Sequence, residues 1–244
     1  MSTNYAAALD LSGREAGFAV LDGGKVVLSL VRPMRGRDSA QLAAWVKEEL
    51  RKAGIALESI RRWTVGSGPG SFTGMRLAAA LVNGWTYGKA VETRCVPTAA
   101  ALAANLDAAE GERIGALCDG RNRELIFFEL EIRNGEAVPT GVEKVLNAEQ
   151  AKAFFSDYAG KRLTAFESEL PALEKLLEPE VAARITAFPS IRPEALALAS
   201  WKPFDNNLAG IYRPDRLTGY FSRKAATAKH RGRLQHIPPL SVSP

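Results

Sequence analysis

Residues 65–76 read Val65-Gly66-Ser67-Gly68-Pro69-Gly70-Ser71-Phe72-Thr73-Gly74-Met75-Arg76 and join a predicted strand to a predicted helix. Glycine at positions 66, 68 and 70 lets the backbone take conformations closed to other residues and lets a ligand or another segment approach closely. Ser71 or Thr73 can cap the helix, and the free N–H groups of its first turn can bind an anion. Arg76 lies near this positive helix end, so we expect it to have an anionic partner, either a carboxylate or a phosphate.

Two generic phosphate-binding motifs do not fit this loop. A P-loop needs Gly-Lys-Ser/Thr at the start of the helix, and the loop has no lysine. A dinucleotide fingerprint that begins at Gly66 would need glycine at position 71, where the chain has serine. A structural tight turn and an anion site therefore remain equally good interpretations.

The segments on either side of the loop predict an α/β fold with a repeated order of elements. The first unit has strands at 5–11, 15–22 and 25–32, a helix at 39–53, a strand at 61–66, a helix at 72–88, a strand at 91–96 and a helix at 98–109. The second has strands at 113–119, 123–132 and 136–145, then helices at 147–158, 168–178 and 192–200 that alternate with strands at 162–167 and 183–187. The repeat indicates an internal duplication.

Composition excludes several classes of protein. Apolar residues make up 46% and charged residues 24% of the 244 residues, which is typical of a globular chain and not of a disordered one. We find no apolar run long enough to span a membrane and no leader typical of secretion, so we expect a cytoplasmic protein. Cys95 and Cys118 lie in apolar, strand-like segments, and we interpret them as reduced core residues.

The positive charge is concentrated in the last part of the chain. Residues 211–244 hold seven basic side chains and one acidic one, whereas the other 210 residues hold 25 basic and 26 acidic ones. A basic tail is typical of proteins that bind an anion such as nucleic acid, although a solvated, poorly ordered terminus would look the same. Lys224, Lys229, Arg231 and Arg233 are the candidate contacts to the phosphates of such a nucleic acid.

The segment Gly68-Pro69-Gly70-Ser71-Phe72-Thr73-Gly74-Met75-Arg76 closely resembles the signature of the TsaB (YeaZ) family. The order of elements is also similar to that family over roughly residues 5–213. The resemblance implies an actin-like, ribonuclease-H-like fold of duplicated mixed-sheet lobes. We expect an N-terminal lobe at 1–110, a smaller C-terminal lobe at 111–214 and a basic, poorly ordered extension at 215–244.

The resemblance also implies a function. TsaB proteins are non-catalytic partners of TsaD, which forms N6-threonylcarbamoyladenosine at position 37 of tRNA, and the ATPase TsaE joins them through the TsaD–TsaB complex. We therefore expect a heterodimer with TsaD, indirect contact with tRNA, no membrane association and no cofactor. The resemblance assigns the TsaD interface to the helices at 39–53 and 72–88. We predict that its contacts include Leu42, Trp45, Leu77, Ala78 and Leu81, and that the same surface pairs two copies when TsaD is absent.

The residues themselves favour a non-catalytic role. The only histidines, His230 and His236, lie in the tail, so neither a histidine-based metal site nor a Ser-His-Asp triad can form in the folded part. Asp10 and Asp119 end the predicted first strand of each unit, where actin-like ATPases place magnesium ligands, but strand-end aspartates more often form turns. A stand-alone ATPase or sugar-kinase-like enzyme remains the alternative function, and a peptidase is the least favoured one.

Overall fold

The computed structural model of the chain describes residues 5–34, 36–158, 160 and 162–199. Its first sheet has the strand order β3-β2-β1-β4-β5 and contains β1 (Tyr5–Asp10), β2 (Glu15–Asp22), β3 (Lys25–Pro33), β4 (Ile60–Gly66) and β5 (Glu92–Val96). β1, β2 and β3 are antiparallel, whereas β4 and β5 run parallel to β1. The predicted strands are confirmed to within two residues at each end.

The second sheet repeats this topology. It has the order β10-β9-β6-β7-β8 and contains β6 (Arg113–Arg121), β7 (Glu124–Arg133), β8 (Glu136–Leu146), β9 (Arg162–Phe166) and β10 (Ile185–Phe188). Three antiparallel strands are again followed by two parallel ones. The predicted duplication of mixed sheets is therefore confirmed, while the predicted domain limits at 110 and 214 remain predictions.

The helices are shorter than the sequence pattern predicts. They are α1 (Leu42–Lys52), α2 (Phe72–Thr86), α3 (Thr98–Ala103), α4 (Ala148–Asp157), α5 (Leu170–Leu173), α6 (Pro179–Ala182) and α7 (Pro193–Ala199). A 3-10 helix at Gly36–Gln41 replaces the first turn predicted for α1. α3 ends early because the Asn105 side chain donates a hydrogen bond to the Leu102 carbonyl, which competes with helix continuation.

The predicted helix at 168–178 is wrong in its length. A 3-10 turn at Glu167–Glu169 is followed only by the single turn of α5. Pro179 disfavours helical backbone at the residue before it, and Glu178 is accordingly extended with ψ 146°. α5 has already ended at Leu173, and this extended residue separates it from α6, which begins at Pro179.

The core of the first sheet is built from small side chains on which α7 packs closely. Ala6, Ala8 and Ala19 are fully buried in one cluster with Leu196 and Ala197 of α7. Such small residues let a helix backbone approach a sheet, and the interior can then reach the high packing density that is typical of proteins. Residues 193–199, although they follow the second sheet, thus pack on the first.

Candidate functional site

The loop between β4 and α2 is held in an unusual backbone conformation. Gly68 has φ +84° and Gly70 has φ +151°, values that residues other than glycine rarely adopt. Ser71 is the N-cap of α2, and its hydroxyl accepts a hydrogen bond from the Gly74 N–H at 3.1 Å, so the predicted cap is confirmed for Ser71. The sequence therefore folds locally as a strand, a glycine-dependent turn and a capped helix.

The loop lies directly against the turn that follows β1. A Cβ atom on Gly66 would lie 1.6 Å from the Asp10 carboxylate, and one on Gly74 would lie 1.8 Å from the Leu11 carbonyl oxygen. The Ser71 N–H donates to the Ser12 carbonyl at 2.6 Å. The glycines at these positions are thus explained by contact with another segment of the same chain.

A buried network joins this turn and the loop to the start of α3. The Thr98 hydroxyl donates to Asp10 Oδ2 at 2.5 Å and accepts from the Gly68 N–H at 3.0 Å. The Ser12 N–H and hydroxyl lie 2.9 and 2.7 Å from Asp10 Oδ1. The Thr98 N–H in turn donates to the Gly68 carbonyl at 2.7 Å. Both oxygens of the carboxylate and both backbone groups of Gly68 are therefore hydrogen-bonded within the chain.

The environment of Asp10 makes its ionisation unfavourable. The residue is 2% exposed, and burial raises the pKa of its carboxyl, while the hydrogen bonds from Thr98 and Ser12 lower it. A carboxylate that already accepts bonds on both oxygens has less capacity left for a metal ion. Among the described residues, no group of three or more histidine, cysteine, aspartate or glutamate side chains could hold a metal.

Asp119 forms a turn at the corresponding place in the second sheet. Its carboxylate accepts from the Arg121 N–H at 2.8 Å, and its own N–H donates to the Glu169 carboxylate at 3.0 Å. β6 continues to Arg121, so Asp119 does not end the strand as predicted. Cys118 is buried, as expected of a core residue, whereas Cys95 is only half-buried. Partial burial raises the pKa of the Cys95 thiol to about 12.

Arg76 contacts an aromatic ring of its own helix. Its guanidinium carbon lies 3.8 Å from the centroid of the Phe72 ring, which is the geometry of a cation–π interaction. No carboxylate of the described residues lies within ion-pair distance of it, so this part of the chain does not supply the expected acidic partner. A phosphate or a carboxylate from another molecule stays a prediction for this exposed side chain.

The residues of α1 and α2 that were predicted to contact a partner differ in their burial. Leu42 and Ala78 are fully buried in the chain, so their prediction as contacts on an accessible face is wrong. Helical periodicity places both on the core side of their helices. Trp45, Leu77 and Leu81 are half-buried and lie at the margin of the exposed face.

An aromatic cluster under this face fixes the two helices to the sheet. The ring of Trp45 meets Phe18 edge-on, with the ring centroids 6.0 Å apart, and Trp63 stacks on Phe18 at 6.3 Å. The ring of Trp85 lies 5.1 Å from that of Trp63. The exposed stripe of α2 carries the small residues Ala80 and Gly84. A rigidly supported face with small residues lets another helix approach closely.

Two cavities accompany these features. One of about 380 Å³ adjoins Asp10 and is lined by residues that include Arg14, Glu15 and Glu167. The other, of about 730 Å³, lies beside the second sheet between Glu129, Phe154 and Tyr158. No pattern in the sequence predicts either cavity. The predicted tRNA contacts Lys224, Lys229, Arg231 and Arg233 lie outside the described residues. Among the residues that are described, no helix is long and apolar enough to cross a membrane.

Comparison with known proteins gives consistent matches. The family model "TsaD: tRNA N6-adenosine threonylcarbamoyltransferase" matches residues 36–180. The tRNA threonylcarbamoyladenosine biosynthesis protein TsaB of Haemophilus influenzae is 29% identical over 86 residues, which cover 35% of this chain and 36% of that protein. The match thus spans about a third of the length of this curated relative.

Two solved structures resemble nearly the whole described fold. YeaZ from Pseudomonas aeruginosa has a TM-score of 0.67 at 26% identity and covers 82% of this chain and 92% of that one. A second structure from Pseudomonas aeruginosa, described as an uncharacterized protein with similarity to peptidase YEAZ, has a TM-score of 0.66 at 28% identity. It covers 82% of this chain and 91% of its own length. These matches confirm the predicted actin-like α/β fold.

Proposed function

The chain belongs to the TsaB (YeaZ) family, and we propose that it acts in forming N6-threonylcarbamoyladenosine in tRNA as a non-catalytic subunit that binds TsaD. One observation carries the proposal. The Asp10 carboxylate, which stands at the end of β1, is used by hydrogen bonds that hold the signature loop in place. The signature loop thus positions the start of α2 and does not act on a substrate. We therefore assign the modification reaction to TsaD.

The α1–α2 face, defined here by Trp45, Leu77, Ala80, Leu81 and Gly84, is the surface that we assign to TsaD. Its members are half-buried or exposed, and the exposed ones, Ala80 and Gly84, lie on the solvent side of α2. Two of the exposed large apolar side chains of the described residues, Phe72 and Tyr87, flank the same helix at 36% and 88% exposure. Apolar area of this kind is what a helix–helix interface buries. In this proposal TsaE joins through the complex of this chain with TsaD, and the assembly works in the cytoplasm.

Replacing Ala80 with glutamate tests the assignment. An interface that closes on this helix would have to bury an unpaired carboxylate, so we expect affinity for TsaD to fall about tenfold or more. Co-purification of tagged TsaD measures binding, and the content of modified adenosine in cells that lack their own TsaB measures function. Ala80 is exposed, so the free protein should remain folded.

The matched control is Ala153→Glu, which places the same charge on an exposed alanine of α4. It should bind TsaD and restore modified tRNA like the unchanged chain. Equal binding by both variants would contradict the α1–α2 assignment. ATP hydrolysis at an enzyme-like rate by the isolated chain would instead favour the alternative of a stand-alone ATPase and reject the non-catalytic role.

We also propose that the basic tail contacts tRNA phosphates in the assembled complex. Substitution of glutamine for its four predicted contacts, Lys224, Lys229, Arg231 and Arg233, should weaken tRNA binding most at low salt, because fewer counterions are released. The control exchanges lysine and arginine at the same four positions and keeps the charge. An identical affinity of both variants at every salt concentration would reject a role for the tail.

A further inference from the structure

The larger of the two cavities, of about 730 Å³, lies outside the surfaces assigned so far. It lies where the last turn of α4 faces the start of β6 and the middle of β7. Aromatic and charged side chains line it together, and these are Glu112, Arg113, Glu129, Phe154, Asp157 and Tyr158. Volumes of about 300–1,000 Å³ are typical of sites that bind small molecules.

Glu129 provides a buried carboxylate in this cavity, with a side chain that is 7% exposed. The Thr140 hydroxyl donates to Glu129 Oε2 at 2.8 Å, and Arg113 approaches the same oxygen at 3.9 Å, too far for a hydrogen bond. Both contacts are to Oε2, so Oε1 is left for another donor. Because a buried charge is stable only when it is paired and hydrogen-bonded, Glu129 favours a ligand that brings a cationic donor.

Tyr158 contributes a hydroxyl and an aromatic wall. Its Oη is buried and has no hydrogen-bond partner among the described residues. Burial and then the charge of Glu129 raise the pKa of Tyr158 to about 12, so the phenol is neutral and its oxygen can accept a hydrogen bond. Its ring stacks on that of Phe154 with the centroids 5.5 Å apart. Two adjoining rings suit an alkyl chain and, through cation–π contact, an ammonium group.

The charge of the lining favours a cation with more than one positive group. Three carboxylates and one guanidinium line the cavity, which gives a net charge of −2. Arg162 reaches Glu112 at 3.4 Å and offsets part of this charge, whereas the Arg113 side chain is 61% exposed and screened by water. Asp157 is exposed and is the last residue of α4, where the negative end of the helix dipole also favours a cation. The cavity thus has one buried carboxylate and another at its rim.

We propose that this cavity binds an aliphatic diamine or a polyamine. One ammonium group contacts Glu129 and Tyr158, the next contacts Asp157 at the rim, and the alkyl chain packs between them against the aromatic wall. A metal ion fits less well, because the described acidic side chains form no group of three that could hold one. The overall charge of +5 repels a polyamine from the rest of the surface, so binding depends on this local arrangement. No residue of the α1–α2 face takes part, so the proposal is independent of TsaD.

Titration of the full chain with 1,4-diaminobutane, followed by isothermal titration calorimetry, tests the site. We expect one site with a dissociation constant of about 1 mM or below at low salt. 1-Aminobutane has the same alkyl chain with one charge and should bind about tenfold more weakly, and the uncharged 1,4-butanediol should not bind. No binding of the diamine up to about 10 mM, or equal affinity for the diamine and the monoamine, would overturn the proposal.

Substitutions in the cavity test where the diamine binds. Glu129→Gln keeps the acceptor for Thr140 and removes the charge, so the dissociation constant should rise about tenfold or more. Asp157→Asn changes an exposed residue at the rim and should raise it about threefold.

The matched control is Glu149→Gln, which removes the same charge from the first turn of α4, outside the cavity. It should bind the diamine like the unchanged chain. If circular dichroism shows that Glu129→Gln does not fold, the exposed Asp157→Asn carries the test. Unchanged affinity of the folded cavity variants, or an equal loss in Glu149→Gln, would mean that the diamine collects around surface carboxylates in general and would reject the site.

Discussion

Replacing Gly74 with alanine is expected to lower the free energy of unfolding by about 3 kcal/mol or more. The added Cβ would lie 1.8 Å from the Leu11 carbonyl oxygen and 2.9 Å from its carbonyl carbon. Both atoms belong to backbone next to buried Asp10, so neither can move without breaking the network with Thr98. Urea denaturation followed by circular dichroism measures the loss.

The same helix supplies the control. Gly84 lies in α2 as Gly74 does, but a Cβ there would meet no atom within 4 Å. Gly84→Ala should therefore raise stability by about 0.5–1 kcal/mol, because alanine loses less backbone entropy in a helix than glycine. Equal effects of the two substitutions would contradict the contact between the signature loop and the turn after β1.

The order of strands and helices could be predicted because it depends on local patterns. The continuous apolar runs of β1 and β6 and the hairpin turn at Gly23-Gly24 are visible in any short window of the chain. The glycine-punctuated segment at 66–74 indicates close backbone approach, and the structure identifies what approaches. These signals place the strands to within two residues and give the repeat of the two sheets.

The partners of the loop could not be predicted, because they lie far away in the sequence. Thr98 is 88 residues from Asp10, and its sequence context predicts only that it is the first residue of an alanine-rich helix. Its role depends on the packing of β1, β4 and α3 together, and no local period encodes that. The division of α2 into buried Ala78 and exposed Ala80 was missed for a related reason, since nearly every residue of that helix is small or apolar.

Thr98→Val should be the second strongly destabilising substitution. Valine has nearly the same shape, so the change replaces the hydroxyl with a methyl group and leaves Asp10 Oδ2 without its donor and the Gly68 N–H without its acceptor. Each is a buried group left unpaired, and we expect a loss of about 3 kcal/mol in the free energy of unfolding. Thr64→Val is the control, because Thr64 is fully buried and its hydroxyl has no hydrogen-bond partner among the described residues. Its loss should be neutral or slightly stabilising.

The penalty of Thr98→Val should also depend on pH. The hydrogen bond from Thr98 lowers the pKa of Asp10 against the opposing effect of burial, so its removal raises that pKa further in the folded state. The folded variant then holds its proton to higher pH than the folded unchanged chain, whose Asp10 pKa burial already raises above the ordinary value. The unfolded state is common to both chains, so stability relative to the unchanged chain should fall as pH rises through the interval between these two folded-state pKa values, and the penalty should be smallest in acid. A penalty that is constant over this range, like that expected of Thr64→Val, would mean that Thr98 does not support a charged Asp10.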